Sequence, residues 1–381
     1  GLLFGGSQRH GVSPARSPET PGGAFLGQAA SADPGRTHTP PGFPSGRRAT
    51  ADGATPPAAH RGAVAATASP KPAAVGAIAT PEAPPWGRAV PREGGRAAAL
   101  VSIASDANAN FRPYMEDGHR VVDPLPVQQP GGRGEETWGF FGVYDGHGGR
   151  SETDYCEAKL HDVMLGELQA FGPACKDITP AMVSAFQKID SQLAMLGAWS
   201  SGCTATVALL RRLATGDVSL HVANVGDSRA VLAELRPGGA TRRMSTDHRA
   251  GDPSEVKRIV EGGGLVRHGR VGGQLSVSRS LGDHHLKSCG VSCVPAVCTA
   301  SVSASEASGH ALVIASDGLW DALSDDDAGD VVRSCASDSS LQGGDPGALT
   351  ESLRDRTAKT LVGLAKERGS RDNILALVVF F

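Results

Sequence analysis

Phe140–Gly149 reads FFGVYDGHGG. Phe140 to Tyr144 is an aromatic and β-branched apolar run, which predicts a buried strand. It ends at Asp145, and Gly146-His147-Gly148-Gly149 then demands a tight turn with little side-chain bulk. A carboxylate at a strand end, beside glycines that leave their carbonyls accessible, suits a hard divalent cation. A single Asp-Gly is common in surface hairpins, so the weight lies in recurrence. Leu312–Asp317 (LVIASD) is another apolar run closing on Asp-Gly, and Ser370-Arg371-Asp372-Asn373 leads into a third, Ile374–Phe381. Asp227 follows the strand-like His221–Val225. Four strand-edge aspartates predict a composite metal site.

Outward from these strands the chain divides in two. Residues 1–95 hold 15 of the 25 prolines, with nine Lys/Arg against five Asp/Glu, a net of +4 that leaves −7 for the rest. Such a segment buries too little apolar surface to offset its ordering entropy, so it is read as a disordered tail. Residues 96–381 are read as the folded domain. The tail's Arg-rich, acid-poor start has the character of part of an organelle transit peptide. The chain begins at Gly1, and further residues are expected ahead of it.

Composition excludes several classes. A net charge of −3 gives no basis for nucleic-acid binding. No apolar run reaches the roughly 18 residues of a membrane span. Seven cysteines, an odd number, favour reduced thiols inside a cell. Cytoplasm or nucleus is the expected location, with a plastid as the alternative. Cys289, Cys293 and Cys298 near His284 and His285 match no standard zinc spacing.

Within the folded part, Ala98–Ala104 suits a first strand, and FRPYMED (Phe111–Asp117) places an arginine ahead of two adjacent acids. Gln128–Glu136 reads as a Gly/Pro loop. Ser151–Leu168 is a helix with Cys156, Leu160, Val163, Met164 and Leu168 on one side. Thr179 is read as the N-cap of the next helix, with Pro180 at its first position. Thr204–Leu210, Val218–Val225 and Ala230–Leu235 form a meander. A short helix at Ser254–Val260 stops at Gly262-Gly263-Gly264. Ser324 caps a helix, Leu353–Leu364 lies in the last one, and Ile374–Phe381 closes the chain. Clustered strands without βαβ alternation predict an α+β layered sandwich of mostly antiparallel sheets.

FRPYMED, VYDGHGG, GCTATVALL, VANVGDSRAVL, STDHRAGDPSE, LSVSRSLGD, IASDGLWD and GSRDNI occur in the order found in type-2C protein phosphatases. Over about residues 98–381 the chain resembles that family, most of all its plant members. The resemblance implies two antiparallel sheets flanked on each side by helices, a four-layer α-β-β-α sandwich. It also implies hydrolysis of phosphoserine and phosphothreonine in proteins, with two Mg²⁺ or Mn²⁺ ions. Two such ions can activate a water and align it with the phosphorus.

By the same resemblance Asp145 is the carboxylate shared between the ions, and Asp317 and Asp372 complete the first ion's ligands. The Gly146 carbonyl and Glu116 serve the second. Arg112 is the phosphate-binding arginine, His147 the general acid, and Asp117 an outer acid that orients water. Asp227 and Asp321, with Asp317, match a third ion site of some members. Each has a plainer alternative. Arg112 could simply neutralise Glu116 and Asp117, and His147 and Asp227 could be turn residues. Asp321 could complement a helix dipole. His248 is read as structural, and Asp123, Asp162, Asp252 and Asp325–Asp327 as solvated or capping acids.

The members that answer to abscisic-acid receptors carry a tryptophan after the stretch matching Gly264–Arg267. His268 stands there in this chain, in a flap about two residues shorter. The expected partners are phosphoprotein substrates and protein kinases, with a monomeric enzyme. The reading from another class is a silent phosphatase-like module that binds a kinase or receptor. It would be expected to lack a metal carboxylate, and Asp145, Asp317 and Asp372 are all present.

Overall fold

The structure is a computed structural model that describes residues 95–128, 136–172, 177–337 and 346–381. All of these belong to one compact unit, Ala77–Phe381. The proline-rich tail, but for Gly95, and residues 129–135 of the expected Gly/Pro loop lie outside the described residues.

The chain opens with strands β1 (Leu100–Asp106), β2 (Gly118–Leu125), β3 (Thr137–Tyr144) and the two-residue β4 (Gly146–His147). Helices α1 (Ser151–Phe171) and α2 (Thr179–Leu196) follow. Next come β5 (Gly202–Cys203), β6 (Ala205–Arg212), β7 (Val218–Val225), β8 (Arg229–Glu234) and β9 (Thr241–Arg243). An excursion holds α3 (Pro253–Glu261), β10 (Val266–Arg267), β11 (Arg270–Val271), β12 (Leu281–Gly282) and α4 (His284–Lys287). The last part runs β13 (Ala296–Val302), α5 (Ala304–Ala307), β14 (His310–Ala315), α6 (Asp317–Trp320), α7 (Asp325–Ala336), α8 (Pro346–Glu367) and β15 (Ile374–Phe380).

Two five-stranded antiparallel sheets result, ordered β1-β15-β14-β8-β9 and β13-β7-β6-β3-β2. Period-2 alternation builds the layers. In β15, Leu375, Leu377 and Val379 enter the core shared with Phe141, Val143, Leu210 and Val222 of the other sheet. Ile374, Ala376, Val378 and Phe380 face Val332 of α7 and Leu353 and Leu361 of α8. In β3, Phe140 and Tyr144 turn the other way, onto Leu160 and Met164 of α1 and Phe186 and Ile189 of α2. Both faces of the central strands are thus apolar, which is why their sequences read as continuous hydrophobic runs. Each large side chain buried this way contributes about 1.5–3 kcal/mol. The architecture is the α+β, four-layer sandwich expected.

Two local readings change. Helix α2 begins at Thr179 itself, with Ile178 in the cap position and Pro180 one place further in. The Asp177 carboxylate accepts the Thr179 N–H at 2.9 Å, so the first free N–H of the helix is satisfied from two residues upstream. Asp325 is not a solvated acid, because it accepts from Arg229 at 2.7 Å and from Arg243 at 2.8 Å. Ser324 does cap α7, in a reciprocal capping box with Asp327.

The excursion has its own small core of Ala250, Ile259, Val271, Leu286 and Val291. Its hairpin β10–β11 turns at His268-Gly269, with φ of 51° and 68°, as a two-residue turn of right twist requires. His268 stands at the exposed tip.

Candidate active site

Antiparallel pairing delivers the acids to one end of the sandwich. In the second sheet Gly118 pairs with Tyr144, and Ala205 with Val225. The residues just before β2 and β6 and just after β3 and β7 therefore emerge together: Asp117, Thr204, Asp145 and Asp227. In the first sheet Ala315 pairs with Ala376, so Asp317 and Asp372 leave the same edge.

A cavity of about 280 Å³ opens at this end. Among its walls are Arg112, Glu116, Asp145, Gly146, His147, Asp227, Asp317 and Asp372. Asp117 lies beneath the floor, only 3% exposed, and its carboxylate accepts the Ser316 hydroxyl at 2.6 Å. Asp321 lies outside this cavity, in the next one. Arg249 bridges Asp227 at 3.4 Å and Asp321 at 2.8 Å, so a side chain already balances those two acids.

The positions are over-determined. Asn373 accepts the Glu116 N–H at 2.7 Å and donates to the carbonyls of Ala107 and Tyr114, which pins the FRPYMED loop. Arg150 donates to the carbonyls of Met115 and Asp117. Glu116 accepts the Gly149 N–H at 2.8 Å. Thr204 and Asp145 exchange backbone and hydroxyl bonds. A Cβ on Gly146 would strike the Thr153 hydroxyl and the Glu116 carbonyl, and one on Gly318 would sit on the Asn373 carbonyl. Both glycines are needed for close approach of backbone.

Electrostatically the site is an acid cluster short of positive charge. Burial, then the charges of Asp117, Asp317, Asp227 and Asp372, hold the Asp145 carboxyl well above its ordinary value. Asp117 is raised to about 7, by burial first and then by Asp372 against the opposing Ser316 bond. Asp317 is also raised to about 7, by burial and then by Asp227 and Asp372. Such a cluster gains from a cation between its members. Among the described residues no three His, Cys, Asp or Glu side chains form a ready-made metal cage. Mg²⁺ keeps several waters in its shell, so a site for it needs no closed cage of side chains. The donors lining the cavity, carboxylates and a backbone carbonyl with no thiolate, fit a hard divalent ion.

Two cations flank the acids. Arg112 is ion-paired to Asp372, with its side chain 44% exposed at the wall. His147 donates from Nε2 to Asp283 at 2.8 Å. Burial pulls this imidazole down, but the bond to Asp283 and its charge outweigh that, so the net shift is upward.

Sequence reasoning assigned nothing to Asp283 or Arg270. Asp283 is 2% exposed and also accepts the Ser280 hydroxyl at 2.6 Å. It lies 136 residues from His147, and only a small-residue motif marked it. Arg270, from β11, lines the cavity and gives it a second arginine. Cys289, Cys293 and Cys298 are free thiols.

Comparison with known proteins gives the family. A family model described as protein phosphatase 2C matches residues 101–374. The chain is 32% identical over 292 residues to protein phosphatase 2C homolog 1 of Saccharomyces cerevisiae, covering 74% of this chain and 92% of that one. It is 35% identical over 266 residues to a probable protein phosphatase 2C 8 of Oryza sativa, covering 64% and 63%. In fold it is similar to a crystal structure of a serine-threonine phosphatase 2C from Toxoplasma gondii, with a TM-score of 0.52 at 24% identity, covering 74% and 94%. No helix among the described residues is long and apolar enough to cross a membrane. The chain belongs to the protein phosphatase 2C family.

Proposed function

We propose that this protein phosphatase acts on phosphoserine and phosphothreonine, by direct attack of water at the acid-lined end of the sandwich, with two Mg²⁺ or Mn²⁺ ions as cofactors. The observation that carries the reading is the gathering of Asp145, Asp317, Asp372, Glu116 and the Gly146 backbone in one cavity with Arg112 and His147. Those acids and the Gly146 carbonyl would hold the ions. When bound, the ions supply positive charge against the phosphate dianion and make a water acidic enough to attack.

The chain's own groups account for the rest. Arg112 has a planar fork suited to two phosphate oxygens, and it stands half exposed at the wall. His147 is fixed through Nε2, so Nδ1 is the nitrogen that faces no protein partner among the described residues. Burial disfavours its charged form, but the bond to Asp283 outweighs that and favours it, and Nδ1–H of the imidazolium can then protonate the departing alkoxide. Asp117, buried under the floor, is suited to orient water rather than to meet substrate. A third ion at Asp227 and Asp321 would compete with Arg249, which favours two.

Phosphate release from phosphoserine and phosphothreonine peptides is the test, measured with Mg²⁺, with Mn²⁺ and with a chelator. Release with either ion and loss under chelation is expected. Ion-independent release, or release from aryl phosphates alone, would overturn the reading.

A further inference from the structure

Next to the acid cavity lies a second one of about 280 Å³, with Arg112, Asp321, Arg368, Arg371 and Asp372 among its walls. Arg112 and Asp372 line both, so the two cavities share a wall. The ionic partners within it are mostly taken. Arg112 pairs with Asp372, Arg368 with Asp327, and Asp321 with Arg249. Arg371 has no carboxylate partner among the described residues. Its guanidinium lies 5.6 Å above the ring of Phe111, which steadies the planar fork while leaving its N–H donors free.

The backbone beneath Arg371 is fixed. Ser370 donates to the Gly318 carbonyl at 2.7 Å, and Asn373 is bonded on three sides. Phe111 and Tyr114, 54% and 65% exposed, offer apolar surface beside the shared wall. An arginine without a partner, stacked on an aromatic ring at the rim of a phosphate site, is a preformed receptor for a carboxylate or phosphate.

We propose that this cavity is a substrate subsite. It would take a second anionic group of the same peptide, an Asp or Glu carboxylate or a second phosphate, with Arg371 as the main contact. The proposal rests on the phosphatase reading above and names the substrate class: acidic or multiply phosphorylated segments. An extended peptide advances about 3.3 Å per residue, so a side chain one to three residues from the phosphoresidue can cross the shared wall.

The test compares phosphopeptides that differ only in the flanking residues, on either side of the phosphoresidue. They carry alanine, glutamate, a second phosphoserine or lysine. For the unaltered protein, kcat/KM should be about tenfold higher with glutamate than with alanine, the worth of one charge-assisted contact. Phosphoserine should equal or exceed glutamate, and lysine should fall below alanine. Salt should shrink the preference. Arg371→Ala should bring the glutamate-to-alanine ratio near one, and Arg371→Glu should turn the preference toward lysine. Because each result is a ratio within one protein, disturbance of the neighbouring Asp372 cannot mimic it. No preference in the unaltered protein, or a preference for acid that survives Arg371→Glu, would overturn the subsite. Fluorescence anisotropy of the same labelled peptides provides an arm independent of turnover. If nothing is hydrolysed the phosphatase reading falls, while the ranking of affinities still decides the subsite.

Discussion

At the scale of single residues, His147 is the clearest case of chemistry set by a neighbour. The Asp283 carboxylate is buried, fed by the Ser280 hydroxyl, and holds Nε2 of the imidazole. If the other nitrogen protonates the departing oxygen, the benefit depends on how poor the leaving group is. His147→Asn should therefore slow phosphothreonine peptide turnover by roughly 10²-fold or more. With an aryl phosphate, whose phenolate departs without a proton, the loss should be far smaller. Equal losses on both substrates would remove His147 from that role. The acids Asp145, Asp317 and Asp372 were legible in the sequence because each ends or begins an apolar run. Asp283 and Arg270 were not, since a hydrogen bond across 136 residues and a side chain bending in from a hairpin leave no local periodicity.

At the scale of elements, two buried histidines tie strand and loop to pH. His221, within β7, is lowered to about 4 by burial first and then by the charge of Arg211. His248, in the segment after β9, is lowered to about 4 by burial first and then by Arg279. Unfolded, each would take up a proton near pH 6.5. The unfolded chain thus binds more protons than the folded one between about pH 6.5 and 4, and stability falls as pH drops through that window. Above it these groups contribute no slope. Among the described residues neither ring nitrogen of His248 has a hydrogen-bond partner, so protonation there finds no acceptor among them. The raised carboxyls of Asp117, Asp145 and Asp317 slope the other way in the ion-free protein, so the histidine effect is read as a difference. In thermal melts from pH 7 to pH 5, the Tm of His248→Phe should fall less, or rise more, than that of the unaltered protein. The same change of Tm with pH in both proteins would contradict the account. The elements themselves were mostly legible, since alternation in β3 and β15 and the helical spacing in α1 and α2 follow from burial. The start of α2 was misread because Asp177, not Thr179, satisfies the first free N–H group.

At the scale of the whole molecule, every group assigned to the reaction lies between Arg112 and Asp372, and the strand β1 begins at Leu100. Ala97 and Ala98 donate to the Asp123 carboxylate, and Ala99 to the Phe380 carbonyl. A chain starting at Arg96 retains all of these bonds. It should keep kcat on a short phosphopeptide to within about twofold, because every group assigned to the reaction is retained. A tenfold loss on the scale of about 1.4 kcal/mol would show that the tail supports the catalytic domain. The layered fold was legible from strand clustering. The exchange of partners around Arg249 was not, because one arginine between two acids depends on where two separate loops meet. The central claim is that the acids at one end of the sandwich exist for cations and catalysis, at the expense of stability. Asp145→Ala tests it most directly, with phosphothreonine peptide turnover at saturating Mn²⁺ measured beside the Tm of the ion-free protein. Turnover should vanish while Tm stays level or rises, since a buried carboxyl repelled by Asp117, Asp317, Asp227 and Asp372 is gone. Substantial Mn²⁺-dependent turnover in that variant, or loss of turnover only through unfolding, would contradict the account.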